Sequence, residues 1–451
     1  MARPRESSRS GWRRGAKSST VAAAALALCL TLGACTGGDG GGAAPPSPSL
    51  GWGLTHTQYS AENGEPAAVE TARQALSSRS LPQTQHIMGW GADNPEPAPG
   101  RYDFATLDAR IDLIRRTGGT PVITLCCAPD WMKGGRPGDT DWSRDALETA
   151  PSPEHFDDFA ALAATVAKRY PDVRHFIVWN EFKGFFDEAK KRWNYEGYTD
   201  LYNRVFRTLK RVNKENWVGG PYLNMDSFGP GRTTYTSPLR GPWGSVDRRV
   251  LDAFDYWNTH KAGADFVVVD GSSYTHDDEL LPDRFRAVDK FTAVGQWVRG
   301  RTSVPLWWAE YYVEPGADGD HDRWSEPLRV AVQAAGMIAM VEGGATTGFY
   351  WNPQKRGAPC AGCLWRSTEL TDGTGGEALP MLELLRRFDT EFPPDTRYRT
   401  VDVTGSEAPR VRVLGDDEAT LAVNTLDRAV RVEIDGRAVD LGKYQVLWLW
   451  H

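Results

Sequence analysis

The stretch that decides the fold is His175-Phe176-Ile177-Val178-Trp179-Asn180-Glu181, where four apolar or aromatic residues lead to an amide and then a carboxylate. The run is too short for a helix and is rich in β-forming residues, so it predicts a strand buried on both faces, as in a parallel sheet. The segment Val304-Pro305-Leu306-Trp307-Trp308-Ala309-Glu310 repeats this pattern. Glu181 and Glu310 are then expected at the carboxyl ends of two strands, where a pair of carboxylates indicates a catalytic site.

Short apolar runs alternate with amphipathic stretches along most of the chain. Strands are predicted at Gly51–Gln58, His86–Trp90, Pro121–Cys126, Val173–Trp179, Val218–Tyr222, Phe266–Asp270, Pro305–Ala309 and Thr347–Trp351. Helices are predicted after them at Glu65–Ser78, Phe104–Thr117, Glu154–Arg169, Tyr195–Asn213, Asp247–Lys261, Asp283–Arg299, Ser325–Val341 and Leu379–Phe388. Eight strands that are each followed by a helix predict a (β/α)8 barrel over residues 51–392, with Glu181 closing strand four and Glu310 strand seven.

The pattern changes in residues 393–451. Short alternating runs separated by Gly and Asp turns predict a small antiparallel β domain. The runs are Arg397–Thr404, Arg410–Leu414, Thr420–Asn424, Ala429–Ile434 and Tyr444–Trp450. The domain is too short to be a separate enzyme, so we expect it to pack against the flank of the barrel, with carbohydrate binding as the alternative.

The N-terminal residues 1–35 have the features of an export signal. Basic residues precede an apolar run from Val21 to Leu32 that is too short to span a bilayer, and small residues follow it. The end Leu32-Gly33-Ala34-Cys35 resembles a bacterial lipobox, which implies cleavage before Cys35 and lipid attachment to its thiol; plain secretion is the alternative. Residues 36–50 are mostly Gly, Ala, Pro and Ser and predict a flexible linker. We therefore expect a lipid-anchored protein on the outer face of the cytoplasmic membrane.

Charge and motifs exclude several function classes. The chain carries a net charge of −7 from interspersed acidic and basic residues, which does not indicate a nucleic-acid partner. It has no P-loop, dinucleotide or His-Glu-x-x-His motif, so we predict no cofactor and no catalytic metal. The acidic turn from Asp318 to Asp322 lacks the downstream glutamate of a calcium loop. His56 and His86 lie on predicted strands and are as typical of a core as of a pocket.

Tryptophan and cysteine are the informative residue types. The chain has 18 Trp and 6 Cys. Tryptophans at predicted strand ends and loops favour stacking on sugar rings as a set, although each one alone is more typical of a core; they are Trp90, Trp131, Trp179, Trp193, Trp351 and Trp365. Outside the cell, Cys360 and Cys363 predict a local disulfide, whereas Cys126 and Cys127 are expected to be small buried hydrophobes.

The order of these motifs resembles a known family. Asn180-Glu181 after strand four, Glu310 ending strand seven and Trp351 ending strand eight resemble clan A glycoside hydrolases. The segment from Thr124 to Met132 on strand three adds to this resemblance. Over residues 51–392, the sequence is most similar to the family 39 group of β-xylosidase and α-L-iduronidase relatives. The resemblance implies Glu181 as general acid/base, Glu310 as nucleophile and Asn180 as partner of the sugar 2-hydroxyl. Ser273-Tyr274-Thr275-His276 approximates the clan's His and Tyr positions on strand six, so the resemblance implies substrate contacts by Tyr274, His276 and Trp351. We also expect substrate contacts by Trp131, through its ring, and by His86, from its position on predicted strand two.

The chemistry of acetal cleavage requires one protonated and one ionised carboxyl group. We expect Trp179 and Phe182 to raise the pKa of Glu181 by desolvation, and Tyr274 or His276 to hydrogen-bond Glu310 and keep it ionised. A retaining glycosidase at the cell surface is the favoured hypothesis. There are two alternatives: a non-catalytic sugar-binding lipoprotein, and a barrel enzyme of other chemistry, such as a phosphate-binding isomerase. An isomerase of this kind would need a glycine-rich phosphate site after strands seven and eight, where this sequence has aromatic residues instead.

Overall fold

The computed structural model describes residues 47–315, 324–351, 353–355, 357 and 362–451. Eight parallel strands form a closed barrel in which each strand pairs with its sequence neighbours and the first pairs with the eighth. The strands are Gly51–Thr55, Pro82–His86, Thr120–Leu125, His175–Val178, Trp217–Asn224, Phe266–Ser272, Leu306–Tyr312 and Ala345–Tyr350. The predicted (β/α)8 architecture is confirmed.

Helices surround the barrel, and most begin and end close to where the amphipathic pattern predicts, although the helix predicted at Asp283–Arg299 begins only at Asp289. Their bounds are Pro66–Ser77, Ala105–Arg116, Phe156–Arg169, Tyr195–Val212, Arg248–His260, Asp289–Arg299, Glu326–Glu342 and Pro380–Glu391, with a short helix at Arg144–Glu148 in the loop after strand three. Among the residues that the structure describes, no helix has the length and apolar character needed to cross a membrane.

The strands are buried on both faces, as the sequence of strand four predicts. Ile177 belongs to a cluster inside the barrel with Phe266, Val268 and Trp307, whereas Phe176 packs in the larger cluster between the barrel and the helices. Neighbouring side chains of a strand point to opposite faces, and neither face of strand four meets water. This explains why the run lacks the apolar–polar alternation of a half-exposed strand.

Strand two is the element whose position the sequence predicts wrongly. The strand is Pro82–His86 rather than His86–Trp90, and every residue of its sequence PQTQH is buried. Its two glutamines bond to protein groups: Gln83 Oε1 lies 2.8 Å from His56 Nε2, and Gln85 Nε2 donates to the backbone oxygen of Trp90. A strand whose buried side chains are mostly polar has no apolar run in its sequence, so hydropathy does not reveal it.

Residues Ser47–Leu50 of the predicted linker lie against the amino-terminal end of the barrel. His175 Nε2 lies 2.8 Å from the backbone oxygen of Ser47, and Trp307 Nε1 donates to that of Pro48 at 2.8 Å. The Leu50 amide donates to Thr347 Oγ1 at 2.8 Å. These contacts fix the last residues before strand one, although their composition predicts a flexible segment.

The C-terminal domain consists of two three-stranded antiparallel sheets. One contains Val403–Thr404, Val430–Ile434 and Arg437–Leu441, and the other contains Val411–Gly415, Ala419–Asn424 and Val446–Trp450. One face of the second sheet packs on the last barrel helices, where Trp448 lies against Phe388 and Phe392. The domain therefore buries the flank of the barrel, as predicted, although strand Arg437–Leu441 was not expected.

Candidate active site

A cleft of about 750 Å³ opens at the carboxyl ends of the barrel strands. Aromatic, acidic and basic side chains line it: Thr57, Gln58, Tyr59, Trp90, Trp142, Arg144, Leu147, Glu148, Asn180, Glu181, Lys183, Glu310, Tyr311, Tyr312, Val313, Glu314, Gln333, Tyr350, Trp351, Gln354, Lys355, Gly362 and Cys363. Glu181 and Glu310, which the sequence places on different strands, are therefore brought to one cleft. None of these residues belongs to the C-terminal domain.

Glu181 lies in a tight turn directly after strand four. Trp179, Glu181 and Phe182 have φ values of 69°, 48° and 57°, which are uncommon for residues with side chains. The Trp179 indole donates to the backbone oxygen of Lys183 at 2.8 Å and, with Phe182, is fully buried in the core. Such a conformation costs free energy and persists because the surrounding packing determines it, which is typical of functional turns.

Lys183 decides the charge of Glu181. Its Nζ lies 2.7 Å from Glu181 Oε2 and 3.1 Å from Glu148 Oε1. Burial would raise the pKa of Glu181, but the ammonium group of Lys183 and hydrogen bonds from its neighbours lower it below the ordinary value. The expectation that Trp179 and Phe182 raise this pKa is therefore wrong, because both rings pack in the core and a cation contacts the carboxylate instead.

Glu310 reaches the cleft because strand seven carries a β-bulge. Val269 of strand six pairs with Trp308, but Asp270 pairs with Glu310, so Ala309 is an extra residue on strand seven. Ala309 and Trp307 face the barrel interior. A bulge shifts the alternation by one residue, so Glu310 also faces inward instead of outward.

Two tyrosine hydroxyl groups hold the carboxylate of Glu310. Tyr222 donates to Oε1 and Tyr312 donates to Oε2. Tyr222 is itself the extra residue of a bulge in strand five, where Val268 pairs with Pro221 and Val269 with Leu223. Burial and the negative charge of Glu181 together raise the pKa of Glu310 to about 7, against the opposing effects of the two hydroxyl groups and Lys183.

We expect Tyr222→Phe to lower kcat/KM of any reaction that uses ionised Glu310. A hydrogen bond to a charged group contributes about 1.5–3 kcal/mol, so the loss should be roughly 10- to 100-fold. The same change removes a bond that lowers the pKa of Glu310, so the acid limb of the pH profile, which wild type should show near pH 7, should move to higher pH.

Tyr202→Phe is the matched control, because its buried hydroxyl group donates to the backbone oxygen of Gly263, away from the cleft. It should leave the pH profile unchanged. An unchanged acid limb in Tyr222→Phe would show that this hydrogen bond does not set the charge of Glu310.

A third carboxyl group lies beside the two glutamates. Asp270 lies near the carboxyl end of strand six, is 0% exposed, and pairs in register with Asn224 on one side and Glu310 on the other. Asn224 Nδ2 donates to Asp270 Oδ2 at 3.1 Å. Burial and the charge of Glu181 raise the pKa of Asp270 well above its usual range. The sequence signal for this residue was present, since Phe266–Asp270 is another apolar run that ends in a carboxylate.

Several residues expected to contact the substrate lie elsewhere. Tyr274 and His276 are not in the lining of the cleft: the backbone turns after Ser272, and the His276 side chain is 61% exposed, with Nδ1 3.7 Å from Asp226. Trp131 is 8% exposed and donates its indole N–H to the backbone of Glu96. Tyr222 and Tyr312 take the place next to Glu310 that the sequence assigned to Tyr274 or His276.

His86 lies under the aromatic wall of the cleft rather than in it. Its ring centroid is 4.4 Å from that of Trp90 and 6.3 Å from that of Trp351, and both tryptophans line the cleft. Burial lowers the pKa of His86 to about 3, so the ring is neutral. His86 supports the stacking residues and has no charge to offer a ligand. Asn180 lines the cleft as expected and is 1% exposed.

The tryptophans divide into cleft and core. Of the six singled out in the sequence, Trp90 and Trp351 line the cleft, whereas Trp131, Trp179 and Trp365 are buried in the core and Trp193 packs on Phe182. Trp142, which the strand-end pattern did not select, lies at the rim with 47% of its surface exposed. An exposed indole at a cleft rim is suited to stacking on an apolar sugar face.

The cysteines agree with the expectation in part, since Cys126 and Cys127 are buried as expected. Cys126 and Cys127 form a disulfide with each other at the end of strand three, so they are not free thiols. Cys363 is disulfide-bonded, and its expected partner Cys360 lies outside the described residues, so that pairing stays a prediction. Cys35 and the acidic turn from Asp318 to Asp322 also lie outside them. Within the described ranges no group of three or more His, Cys, Asp or Glu is arranged to hold a metal ion.

No protein-family model matches the sequence, and the comparison with curated proteins gave no match. Solved structures do match. A monomeric β-xylosidase from Caulobacter crescentus CB15 has 17% identity and a TM-score of 0.53, over 87% of this chain and 80% of that one. A GH39 enzyme from Xanthomonas axonopodis pv. citri has 19% identity and a TM-score of 0.50, over 85% and 72%. A conserved exported protein from Bacteroides fragilis has 12% identity and a TM-score of 0.57, over 89% and 95%.

At these identities the similarity concerns the fold. The resemblance noted in the sequence is confirmed at that level, since solved structures of glycoside hydrolase family 39 are among the neighbours of this chain and share its barrel.

Proposed function

We propose that this protein is a retaining glycoside hydrolase that cleaves O-glycosidic bonds of an oligo- or polysaccharide. The observation that carries the proposal is the pair Glu181 and Glu310, two carboxyl groups that line one cleft, where the negative charge of Glu181 raises the pKa of Glu310. Glycoside hydrolysis needs two carboxyl groups that differ in protonation. The β-xylosidase activity named for two of the structural neighbours agrees with this proposal.

The hydrogen bonds favour Glu310 as the nucleophile. Two tyrosine hydroxyl groups donate to its two oxygens, which stabilises negative charge and fixes the direction of the carboxylate. A carboxylate that must attack one carbon atom benefits from this orientation, since positioning of the reacting atoms contributes much of the rate. Glu181 lines the same cleft with its Oε2 2.7 Å from Lys183 Nζ, and we assign it the acid/base role.

The reaction then proceeds in two displacements. Glu310 attacks the anomeric carbon while a proton on Glu181 is transferred to the leaving oxygen, which gives a covalent glycosyl-enzyme and a free alcohol. Glu181, now ionised, takes a proton from water as the water attacks the same carbon and releases Glu310. Asn180, next to Glu181 in the cleft, is placed to hydrogen-bond a sugar hydroxyl. Trp90, Trp351 and Trp142 offer surfaces for the apolar faces of sugar rings.

The test is turnover and stereochemistry on purified protein that starts near Gly37, so that Ser47–Leu50 stay on the barrel. A panel of aryl glycosides and polysaccharides should contain a substrate, and proton NMR of the first product should show the anomeric configuration of the substrate. A product of inverted configuration would rule out the double-displacement mechanism. Binding of sugars without turnover across the panel would favour the non-catalytic sugar-binding protein.

We also propose that the protein acts at the outer face of the cytoplasmic membrane, anchored through Cys35. The support is the sequence of residues 1–35, where a lipobox-like end directly follows the apolar run. Wild type should fractionate with membranes, and Cys35→Ala should not acquire lipid. Wild-type protein that is free in the medium would contradict the anchor.

A further inference from the structure

The starting point is a lysine that contacts two carboxyl groups from different loops. Lys183 Nζ lies 2.7 Å from Glu181 Oε2 and 3.1 Å from Glu148 Oε1, and all three side chains line the cleft. Arg144 Nε lies 2.9 Å from Glu148 Oε1, so the ion pairs continue to an arginine whose side chain is 81% exposed. A row of alternating charges therefore connects the exposed edge of the cleft to Glu181.

Two backbone segments that pack together hold Lys183 and Glu148 in contact. Lys183 lies in the tight turn after strand four, and Glu148 ends the short helix Arg144–Glu148 in the loop after strand three. Lys133 Nζ donates to a backbone oxygen of this helix at 2.6 Å. Gly184 lets the helix end approach the turn, because a Cβ atom at this position would lie 2.6 Å from the backbone oxygen of Glu148. The contact is thus part of the fold of both loops.

The reaction makes different demands on the two partners of Lys183. As the acid/base group, Glu181 must carry a proton before the leaving oxygen departs, and a protonated carboxyl group is no longer a counterion. An ammonium group that is mostly shielded from water is unfavourable without a counterion. Glu148 transfers no proton in this reaction, so at 3.1 Å from the same Nζ it remains a counterion while Glu181 changes its charge.

We propose that Lys183 changes its carboxylate partner during catalysis, and that Glu148 is the positioning residue that holds the lysine when Glu181 carries the proton. The inference rests on the proposed function, since it gives Glu181 a protonated state that a fixed ion pair with Lys183 would oppose. Lysine has a flexible side chain with three donor hydrogens. Because Lys183 already contacts both carboxyl groups, the change requires rotation of its side chain alone.

The electrostatics of the cleft agree with a lysine that stays charged. Burial would lower the pKa of Lys183, but the carboxylates of Glu181, Glu310 and Glu148 raise this pKa above its ordinary value. Burial would raise the pKa of Glu181, and the charge of Lys183 is the largest opposing effect. Withdrawal of the ammonium group toward Glu148 therefore favours protonation of Glu181. Further titratable groups that interact electrostatically with Glu181 are His86 on strand two, Tyr222 on strand five, Asp270 on strand six, and Glu310 and Tyr312 on strand seven.

The two steps are balanced in bonds and protons. In the first step Glu310 forms a bond to the anomeric carbon, the bond from this carbon to the leaving oxygen breaks, and Glu181 gives its proton to that oxygen. Lys183 then pairs with the ionised Glu181 and stabilises the charge that develops there. In the second step a water oxygen bonds to the anomeric carbon, Glu310 is released, and a proton of the water passes to Glu181 as Lys183 moves back to Glu148.

The test compares Glu148→Gln with Lys183→Met, which should have opposite effects on Glu181. Glu148→Gln keeps the volume of the side chain but removes the charge that competes for Lys183, so the pKa of Glu181 should fall by about one unit. Lys183→Met keeps an unbranched side chain without the ammonium group, so this pKa should rise by about one unit or more. Carbon-13 NMR of labelled glutamate measures both shifts without substrate, and the loss of a signal in Glu181→Gln assigns it.

The same variants should change the ratio of kcat/KM for an alkyl glycoside to that for a dinitrophenyl glycoside. The alkyl substrate needs a proton in the first step and the aryl substrate does not, so this ratio follows the fraction of enzyme in which Glu181 is protonated. One pKa unit changes that fraction about tenfold, and acid strength offsets part of the change. At pH 7 the ratio should therefore fall roughly 3- to 10-fold in Glu148→Gln and rise in Lys183→Met. Glu188→Gln is the matched control, since it removes a carboxylate 2.7 Å from Lys191 outside the cleft lining, and should keep the wild-type ratio.

A shift of the Glu181 pKa in the same direction in both variants, or an unchanged pKa in Glu148→Gln, would overturn the proposal. Opposite shifts with an unaltered ratio of the two substrates would also overturn it, because the change of partner would then take no part in proton transfer. If wild type cleaves no glycoside of the panel while the NMR shifts are opposite, the proposed function fails and the change of partner by Lys183 stands as a property of the site.

Discussion

Glu310→Gly should abolish turnover of a true substrate, by roughly 10³-fold or more. The substitution removes the group that forms the covalent bond, and general acid catalysis by Glu181 cannot replace it. It also leaves a gap between Tyr222 and Tyr312, whose hydroxyl groups donate to Glu310 in the wild type. The measurement is kcat/KM on the substrate found in the glycoside panel.

Azide should restore part of the activity of Glu310→Gly. The anion fits the vacated space, meets the two hydroxyl donors, and attacks the anomeric carbon from the side of the missing carboxylate. A substrate with a good leaving group should then give a glycosyl azide of inverted configuration, detected by proton NMR. This product has the stereochemistry of one displacement, whereas the natural reaction requires two.

Glu310→Gln is the matched control. The amide keeps the volume of the side chain, so azide has no space to enter, and the variant should be inactive without rescue. If Glu310→Gly keeps near wild-type activity, or if its azide product has retained configuration, Glu310 is not the nucleophile.

The sequence predicts the barrel because most of its strands and helices bury apolar residues, which form short continuous runs in the strands and recur with the helical period in the helices. Strands four, six and seven are runs such as Phe266-Val267-Val268-Val269, whose two faces both meet hydrophobic clusters. Most helix bounds agree within a few residues for the same reason, since the apolar side of each helix packs on the barrel. Pro82–His86 shows where this logic fails, because its burial depends on hydrogen bonds between polar side chains, which leave no trace in hydropathy.

The sequence predicts part of the candidate site from the positions of strand ends rather than from hydrophobic patterning. A residue near the carboxyl end of a parallel strand lies near the mouth of the barrel, so the strand positions of Glu181 and Glu310 predict that both lie at that end. The inward direction of Glu310 depends on the bulge at Ala309. Their partners depend on features that the sequence does not display. The bulges at Tyr222 and Ala309 exchange the inward and outward residues of two strands, and this brings Tyr222 and Tyr312 to Glu310. Lys183 contacts Glu181 because the turn after strand four has three residues with positive φ.

Glu181→Ala should give a loss that depends on the leaving group. An aryl glycoside with an acidic phenol needs no proton to depart, so its first displacement should be nearly unaffected. An alkyl glycoside needs the proton and should lose roughly 10²- to 10⁴-fold in kcat/KM. With the aryl substrate, the second displacement lacks its base, so the glycosyl-enzyme should accumulate and a burst of phenol should precede slow turnover.

Azide separates this variant from Glu310→Gly by stereochemistry. In Glu181→Ala the anion attacks the glycosyl-enzyme from the side that Glu181 occupied, so the azide product should have retained configuration. Glu181→Gln is the control for Lys183, which in the wild type lies 2.7 Å from Glu181 and 3.1 Å from Glu148. Glu181→Gln keeps a polar partner for the ammonium group of Lys183. If the dependence on the leaving group in Glu181→Ala comes from the missing proton rather than from a displaced lysine, Glu181→Gln should show the same dependence. Equal losses on aryl and alkyl glycosides in both variants would show that Glu181 positions Lys183 and does not transfer a proton.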